Sequence, residues 1–180
     1  MINDIKEILI SEEKLNAKVK ELGARISRDY KGSNPLLISI LKGSVVFMSD
    51  LMRAITIPCE IDFMAVSSYN KGVKNSGVVR ILKDLDRDVA GRHIIIVEDI
   101  LDSGLTLSYL LDMLNTRDAA SISICTLLDK PARHRIEIVP EYLGFTIPDD
   151  FVVGFGLDYA EKYRNLPFIG ILRDELIPAE

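Results

Sequence analysis

Between residues 11 and 29, apolar side chains recur every three or four positions. Leu15, Val19, Leu22 and Ile26 stand among charged neighbours, which predicts one helix with a single buried stripe. Ser11 is placed to cap it. Beyond it the pattern shortens. Apolar and β-branched runs predict strands over 36–41, 58–67, 78–83, 93–98, 121–128, 142–145, 151–155 and 167–172. Helical spacing returns over 44–54 and 104–116. Strand and helix alternate through the middle of the chain, which predicts an α/β fold with a largely parallel central sheet flanked by helices. The polar, glycine-bearing stretch 70–77 separates two apolar runs and reads as a mobile loop. With 180 residues, no internal repeat and no low-complexity segment, residues 1–180 are expected to form one domain.

Residues 94–106, I-I-I-V-E-D-I-L-D-S-G-L-T, carry the most chemistry. An apolar run meets two adjacent carboxylates, then a third, and a helical pattern begins. In open α/β sheets small ligands sit at the carboxyl ends of strands. Ser103 and Thr106 offer hydroxyl donors, and Gly104 allows close backbone approach. Free N–H groups at a helix start favour an anion, so this loop suits a terminal phosphate. Glu98 and Asp99 would repel that phosphate. They suit sugar hydroxyls, or Mg²⁺, which takes a few carboxylates together with substrate phosphate oxygens. Asp102 falls between the two regions, where a general base is useful. A lone D-x-G would be no more than a cap and a turn. Three clustered carboxylates repel one another, which argues against a purely structural role. The expected ligand is a phosphorylated sugar with a further anionic group.

The E-D pair followed by I-x-D-S-G-x-T resembles the phosphoribosyl pyrophosphate (PRPP) signature of the type I phosphoribosyltransferases, in the short bacterial form of their hypoxanthine-guanine branch. Leu41-Lys42-Gly43-Ser44 resembles that family's pyrophosphate loop, whose backbone N–H groups follow a non-proline cis peptide. Lys130 matches a lysine that donates to the purine 6-oxygen. The segment from Phe151 to Tyr159 resembles the base-binding segment. The resemblance implies purine binding by this segment, with stacking by Phe151, ring-edge contact by the Val152 backbone, and Asp158 at the purine, where it can also bind a second Mg²⁺ near pyrophosphate. Arg164 matches an arginine on pyrophosphate, and Ser68-Tyr69 open the loop that closes over PRPP. Taken alone, each of these is ordinary: a strand-to-helix turn, a loop lysine, a core strand, a surface arginine, a hairpin. For Val153 and Phe155 the core reading is the expected one.

The resemblance runs from about Leu36 to Leu172, with the motifs in the family's order. It implies a small hood over the sheet, formed by the chain termini and last strands. It also implies Mg²⁺ held by Glu98, Asp99 and Asp158, the substrates PRPP and a 6-oxopurine, and a homodimer or homotetramer. Lys42, Gly43 and Arg164 would hold pyrophosphate, with Glu98 and Asp99 on the ribose. Ser103, Gly104, Leu105 and Thr106 would hold the 5′-phosphate. Leu105 stands where some relatives carry lysine, and only its backbone is called on.

Composition narrows the alternatives. A net charge of −5 disfavours nonspecific nucleic-acid binding and asks for local cations around an anionic substrate. No segment reaches the ~18 apolar residues of a membrane span. Cys59 and Cys125 are isolated in apolar runs, so reduced thiols and a cytoplasmic setting are expected. No Cys/His cluster suggests zinc, and His93 and His134 read as structural or surface residues. A PRPP-sensing regulator would be expected to carry a nucleic-acid surface or an extra segment. A signalling receiver would need an intervening strand-end aspartate, and a haloacid-type phosphatase needs D-x-D rather than the D-x-x-D of Asp99 and Asp102.

Overall fold

The computed structural model describes residues 1–68 and 79–177. Tyr69 and the loop expected after it lie outside the described residues, and of Ser68 only the backbone is described. The first helix, α1 (Glu12–Asp29), forms as the stripe predicts. Leu15, Val19, Leu22 and Ile26 are buried, Ser11 Oγ accepts from Lys14 N at 3.4 Å, and Glu12 and Glu13 sit at the positive end of the helix dipole.

Six strands make the main sheet: β2 (Leu36–Leu41), β3 (Glu60–Ser68), β4 (Val79–Lys83), β5 (His93–Leu101), β6 (Ser121–Asp129) and β7 (Tyr142–Thr146). Their order is β4-β3-β2-β5-β6-β7, and all neighbours are parallel except the edge strand β4. The apolar run of β5 is continuous because both faces are covered. Ile95 and Val97 pack on the side of α1 and α2 (Val45–Ala54). Ile94 and Ile96 pack on the side of α3 (Leu105–Asn115). Neighbouring strands β2 and β5 therefore send their following helices to opposite faces. That arrangement opens a crevice at the carboxyl ends of the two strands, and the loops at Lys42–Ser44 and Asp102–Gly104 emerge into it.

A second, antiparallel sheet is the small hood: β1 (Ile5–Ile10), β9 (Ile169–Leu172) and β8 (Val152–Val153), in the order β1-β9-β8. Ile5, Val153, Tyr163, Leu166 and Leu172 form its core.

Several boundaries differ from the sequence pattern, β3 for one beginning at Glu60 rather than at 58, and three of the differences have a visible reason. β1 was not anticipated as a strand. Its register shifts twice against β9, between Ile5 and Glu7 and between Ile8 and Ile10, so its side chains do not alternate. β8 stops at Val153, because Gly154, Phe155 and Gly156 turn to φ values of 103, 49 and 101°. β5 continues to Leu101 instead of ending at Glu98. Its ladder to β6 runs on through Glu98↔Thr126, Ile100↔Leu128 and Leu101↔Asp129, since backbone pairing is indifferent to side-chain charge. β9 begins at Ile169, two residues after the expected start.

Leu22 is fully buried where α1 meets α2 and the sheet. Leu22→Ala is expected to lower the unfolding free energy by about 2–5 kcal/mol in a urea titration, with the slope unchanged.

Candidate active site

Because β5 runs to Leu101, Glu98 and Asp99 lie within its last residues rather than at its end. Adjacent strand residues project to opposite faces, and the two carboxylates are divided accordingly. Glu98 lines a cavity of about 130 Å³ with Asp102, Ser103, Gly104, Thr106 and Leu107. Asp99 lies directly against Gly43, on the other side. Both are half-buried. Burial, and then the charge of Asp99, push the Glu98 carboxyl well above the usual range. Burial likewise raises Asp99, to about 6, against the opposing effect of the Ile100 N–H that its Oδ1 accepts at 2.9 Å. A lone structural ion pair does not explain two strained acids side by side.

The cavity at Glu98 ends on the first turn of α3. Gly104 precedes that helix with φ +80°, a conformation open to glycine. No side chain caps the helix there, so its first N–H groups face the cavity mouth. Ser103 Oγ accepts only a long bond, 3.4 Å, from Leu105 N. Asp102 Oδ1 is buried without a hydrogen-bond partner among the described residues, although Arg133 Nε approaches within 2.8 Å out of line.

The loop after β2 supplies the other wall. The Leu41–Lys42 peptide is cis. A Cβ at Gly156 would strike the Gly43 carbonyl, so the absence of a side chain lets the segment after β8 seat on this loop. That contact seats the segment carrying Asp158, Glu161 and Arg164 beside the loop, where Glu161 Oε1 lies 3.1 Å from Lys42 Nζ. Arg164 donates Nη1 to Gly156 O at 2.8 Å and pairs through Nη2 with Asp158 Oδ1 at 2.8 Å. Its Nε is buried and unpartnered among the described residues. Arg164 and Asp158 both act on the charge of Asp99, with opposite sign.

Lys130 follows β6, its backbone N donating to Leu101 O at 3.0 Å. Only 8% of it is exposed; Nζ donates to Asp150 O at 2.6 Å, and burial lowers its pKa against the nearby Asp102 charge. Phe151, next to Asp150, is 39% exposed with Tyr159 set edge-on at 5.4 Å, while Val152 is buried in β8. Val153 and Phe155 are core residues.

The structure thus forms two groups around β5. One holds Glu98, Asp102, Ser103, Gly104, Leu105 and Thr106, with Lys130 and Phe151 beside it. The other holds Lys42, Gly43, Asp99, Asp158 and Arg164. Two participants went unread in the sequence. Arg133 contacts Asp102 and, at 3.7 Å, Asp149; its only signal was the basic run after Lys130-Pro131. Glu161 pairs with Lys42 and Arg164; its signal was an acid three residues before an arginine. A larger hollow, about 390 Å³, lies at the opposite edge beside Leu36 and Glu60. There Arg92 is already paired through both terminal nitrogens with Glu60.

Among the described residues no three acidic, histidine or cysteine side chains converge to hold a metal by themselves. The divided carboxylates fit instead the way Mg²⁺ binds, with one or two protein carboxylates and the rest from substrate phosphate and water.

A sheet switch point lined by a phosphate-type loop and cations defines a phosphorylated-sugar enzyme, and the comparisons with known proteins agree. Residues 6–160 match the phosphoribosyl transferase domain family, and the chain belongs to that family. It is 54% identical, over 96% of both chains, to the hypoxanthine-guanine phosphoribosyltransferase of Bacillus subtilis. A crystal structure of a hypoxanthine phosphoribosyltransferase from Staphylococcus aureus superposes with a TM-score of 0.96 at 47% identity, covering 99% of this chain and 97% of that one. The chain is also 52% identical, over 98% of its length, to the bifunctional protein TilS/HprT of Listeria monocytogenes, of which it spans only 27%.

Asp99 titrates high in the folded protein, so ionising it opposes folding. That penalty is absent below about pH 4, grows as pH rises through the interval up to about 6, and persists above it. Without ligand, Asp99→Asn is expected to stabilise the protein at pH 7 by about 1–3 kcal/mol, with the advantage vanishing near pH 4. Thermal unfolding across this pH range reads it, and equal stability at pH 7 would show that the carboxylate is not strained.

Proposed function

We propose that this protein transfers a 5-phosphoribosyl group from PRPP to N9 of a 6-oxopurine and releases pyrophosphate, so that hypoxanthine gives IMP and guanine gives GMP. The observation that carries the reading is the buried Arg164 Nε, without a hydrogen-bond partner among the described residues, in the group against Asp99, set across β5 from the phosphate-type loop and the uncapped start of α3. A buried polar atom without a partner marks a place where a ligand completes the bonding. A ribose with phosphate at one end and pyrophosphate at the other reaches both.

Each residue then has a task. Ser103, Gly104, Leu105 and Thr106 bind the 5′-phosphate through hydroxyls and N–H groups and so fix the sugar. Glu98 and Asp99 accept from the ribose hydroxyls. The N–H groups of Lys42 and Gly43, with the Lys42 and Arg164 side chains, stabilise the negative charge that grows on pyrophosphate as the anomeric C–O bond breaks. Lys130 donates to the purine 6-oxygen and would repel the amino group of adenine. Phe151 stacks on the base, and the Val152 backbone reads its edge. Asp102 takes the purine proton, as base or as relay at N7. Glu98, Asp99 and Asp158 are the residues that would hold Mg²⁺, which supplies positive charge to the pyrophosphate oxygens when bound. The protein works in the cytoplasm as a homodimer or homotetramer, independently of nucleic acid and membrane. Its free cysteines, buried at Cys125 and partly buried at Cys59, suit a reducing compartment.

The test is purine-dependent release of pyrophosphate from PRPP across a panel of bases, with and without Mg²⁺. Hypoxanthine and guanine are expected to support release only with the metal, and adenine not at all. Release that ignores the base would sink the proposal. Asp102→Asn is expected to cut kcat by about 10²–10⁴-fold with little change in PRPP affinity. Unchanged turnover would remove Asp102 from the chemistry. Lys130→Ala is expected to raise KM for the base by about 10- to 100-fold, the worth of one charged hydrogen bond, while KM for PRPP stays put. Equal losses for both substrates would place Lys130 elsewhere.

A further inference from the structure

Glu161 sits at the tip of a two-residue hairpin. Tyr159 and Lys162 bond to each other's backbone, Tyr159 N to Lys162 O at 3.2 Å and Lys162 N to Tyr159 O at 3.0 Å. The two residues between them, Ala160 and Glu161, both turn left-handed, with φ of 50 and 61°. Such turns favour Asn-Gly, and alanine and glutamate are poor occupants. Glu161 is also tied down: its backbone N donates to Asp158 Oδ2 at 2.9 Å. The turn therefore spends backbone strain on presenting one carboxylate in one place.

That carboxylate spans two cations. Its Oε1 lies 3.1 Å from Lys42 Nζ, and its Oε2 lies 3.4 Å from Arg164 Nη2. One oxygen faces each cation, as the separate oxygens of a diphosphate would. Arg164 Nε meanwhile is buried with no hydrogen-bond partner among the described residues. With Asp158 also on Arg164, the two cations and two carboxylates balance to zero. A pyrophosphate arriving at these cations meets an internal anion already in place.

We infer that Glu161 is a built-in stand-in for pyrophosphate, which occupies Lys42 and Arg164 when the site is empty and must be displaced for the diphosphate to bind, thereby weakening its hold and easing its release. The inference rests on the proposed reading of this site as one for PRPP. It makes Glu161 a specificity-setting residue for the leaving group: it opposes tight retention of product at a pair of cations of which Arg164 would otherwise keep only Asp158 against it, and Lys42 would have no carboxylate among the described residues.

The experiment is calorimetric titration of the whole protein with inorganic pyrophosphate, with and without Mg²⁺. Glu161→Gln removes the charge and keeps the length. Glu161→Asn removes the charge and suits the left-handed turn, so it folds even if the glutamine variant does not. Both variants are expected to bind pyrophosphate about threefold to tenfold more tightly than the parent, the worth of two exposed ion pairs released. In a Lys42→Met background the gain is expected to shrink, because one of the two cations is gone. Binding equal to or weaker than the parent's in both variants overturns the inference, as does a full gain without Lys42. A parent protein that fails to bind pyrophosphate at all overturns the reading of the site as well, which separates the two failures.

Discussion

Two neighbouring half-buried carboxylates near the end of β5 impose the central constraint. Glu98 and Asp99 resist ionisation where they sit, because burial favours the neutral form of both and the charge of Asp99 adds to it at Glu98. The rest of the site is arranged around relieving or exploiting that tension. Helices on opposite faces of the sheet wall off the strand on which the acids ride. Lys42 and Arg164 approach from one side and the uncapped start of α3 from the other. A substrate that carries hydroxyls between two anionic ends is matched by acids in the middle and positive potential at both ends. In this view the net negative charge of the chain is no obstacle to an anionic ligand, since the field is set locally by a few oriented groups.

The architecture was largely legible in the sequence. The helical stripe of α1 and the alternation of short apolar runs with helices follow from periodicity, and periodicity survives wherever an element is packed on a regular face. It fails where packing is irregular. β1 is twice bulged, and β8 is cut short by three left-handed residues, so neither carries a full period. The loop chemistry at Asp102–Thr106 was legible because residue type and spacing suffice to describe a short contiguous segment. Glu161 and Arg133 were not, because their meaning lies in partners: Lys42 for the one, Asp102 for the other. The division of Glu98 from Asp99 was likewise hidden. A carboxylate pair reads as one site in the sequence, yet a strand turns consecutive side chains apart.

The segment between β8 and β9 joins the two sheets functionally. Gly156 rests on the Gly43 carbonyl, so the hood and the main sheet meet at the pyrophosphate-type loop. Phe151 and Val152, which the proposed function assigns to the base, lie just before that contact, and Asp158 and Arg164 just after it. A shift of the hood would therefore move both ends of the site together, and under the proposed function that would couple recognition of a base to the grip on a leaving group.

The hood also imposes an order on assembly. Ile5 pairs with Leu172 and Ile10 with Ile169, so β1 is synthesised ahead of the main sheet yet waits for β9, which follows it. The main sheet consists of neighbours whose contacts can form as synthesis proceeds, but β1 has no sheet partner until the whole main sheet has been made and β9 follows. Closing so long a stretch of polypeptide is slow compared with local pairing. A nascent chain can therefore hold most of its interior while still lacking the cover over its crevice, so that competence arrives late and all at once.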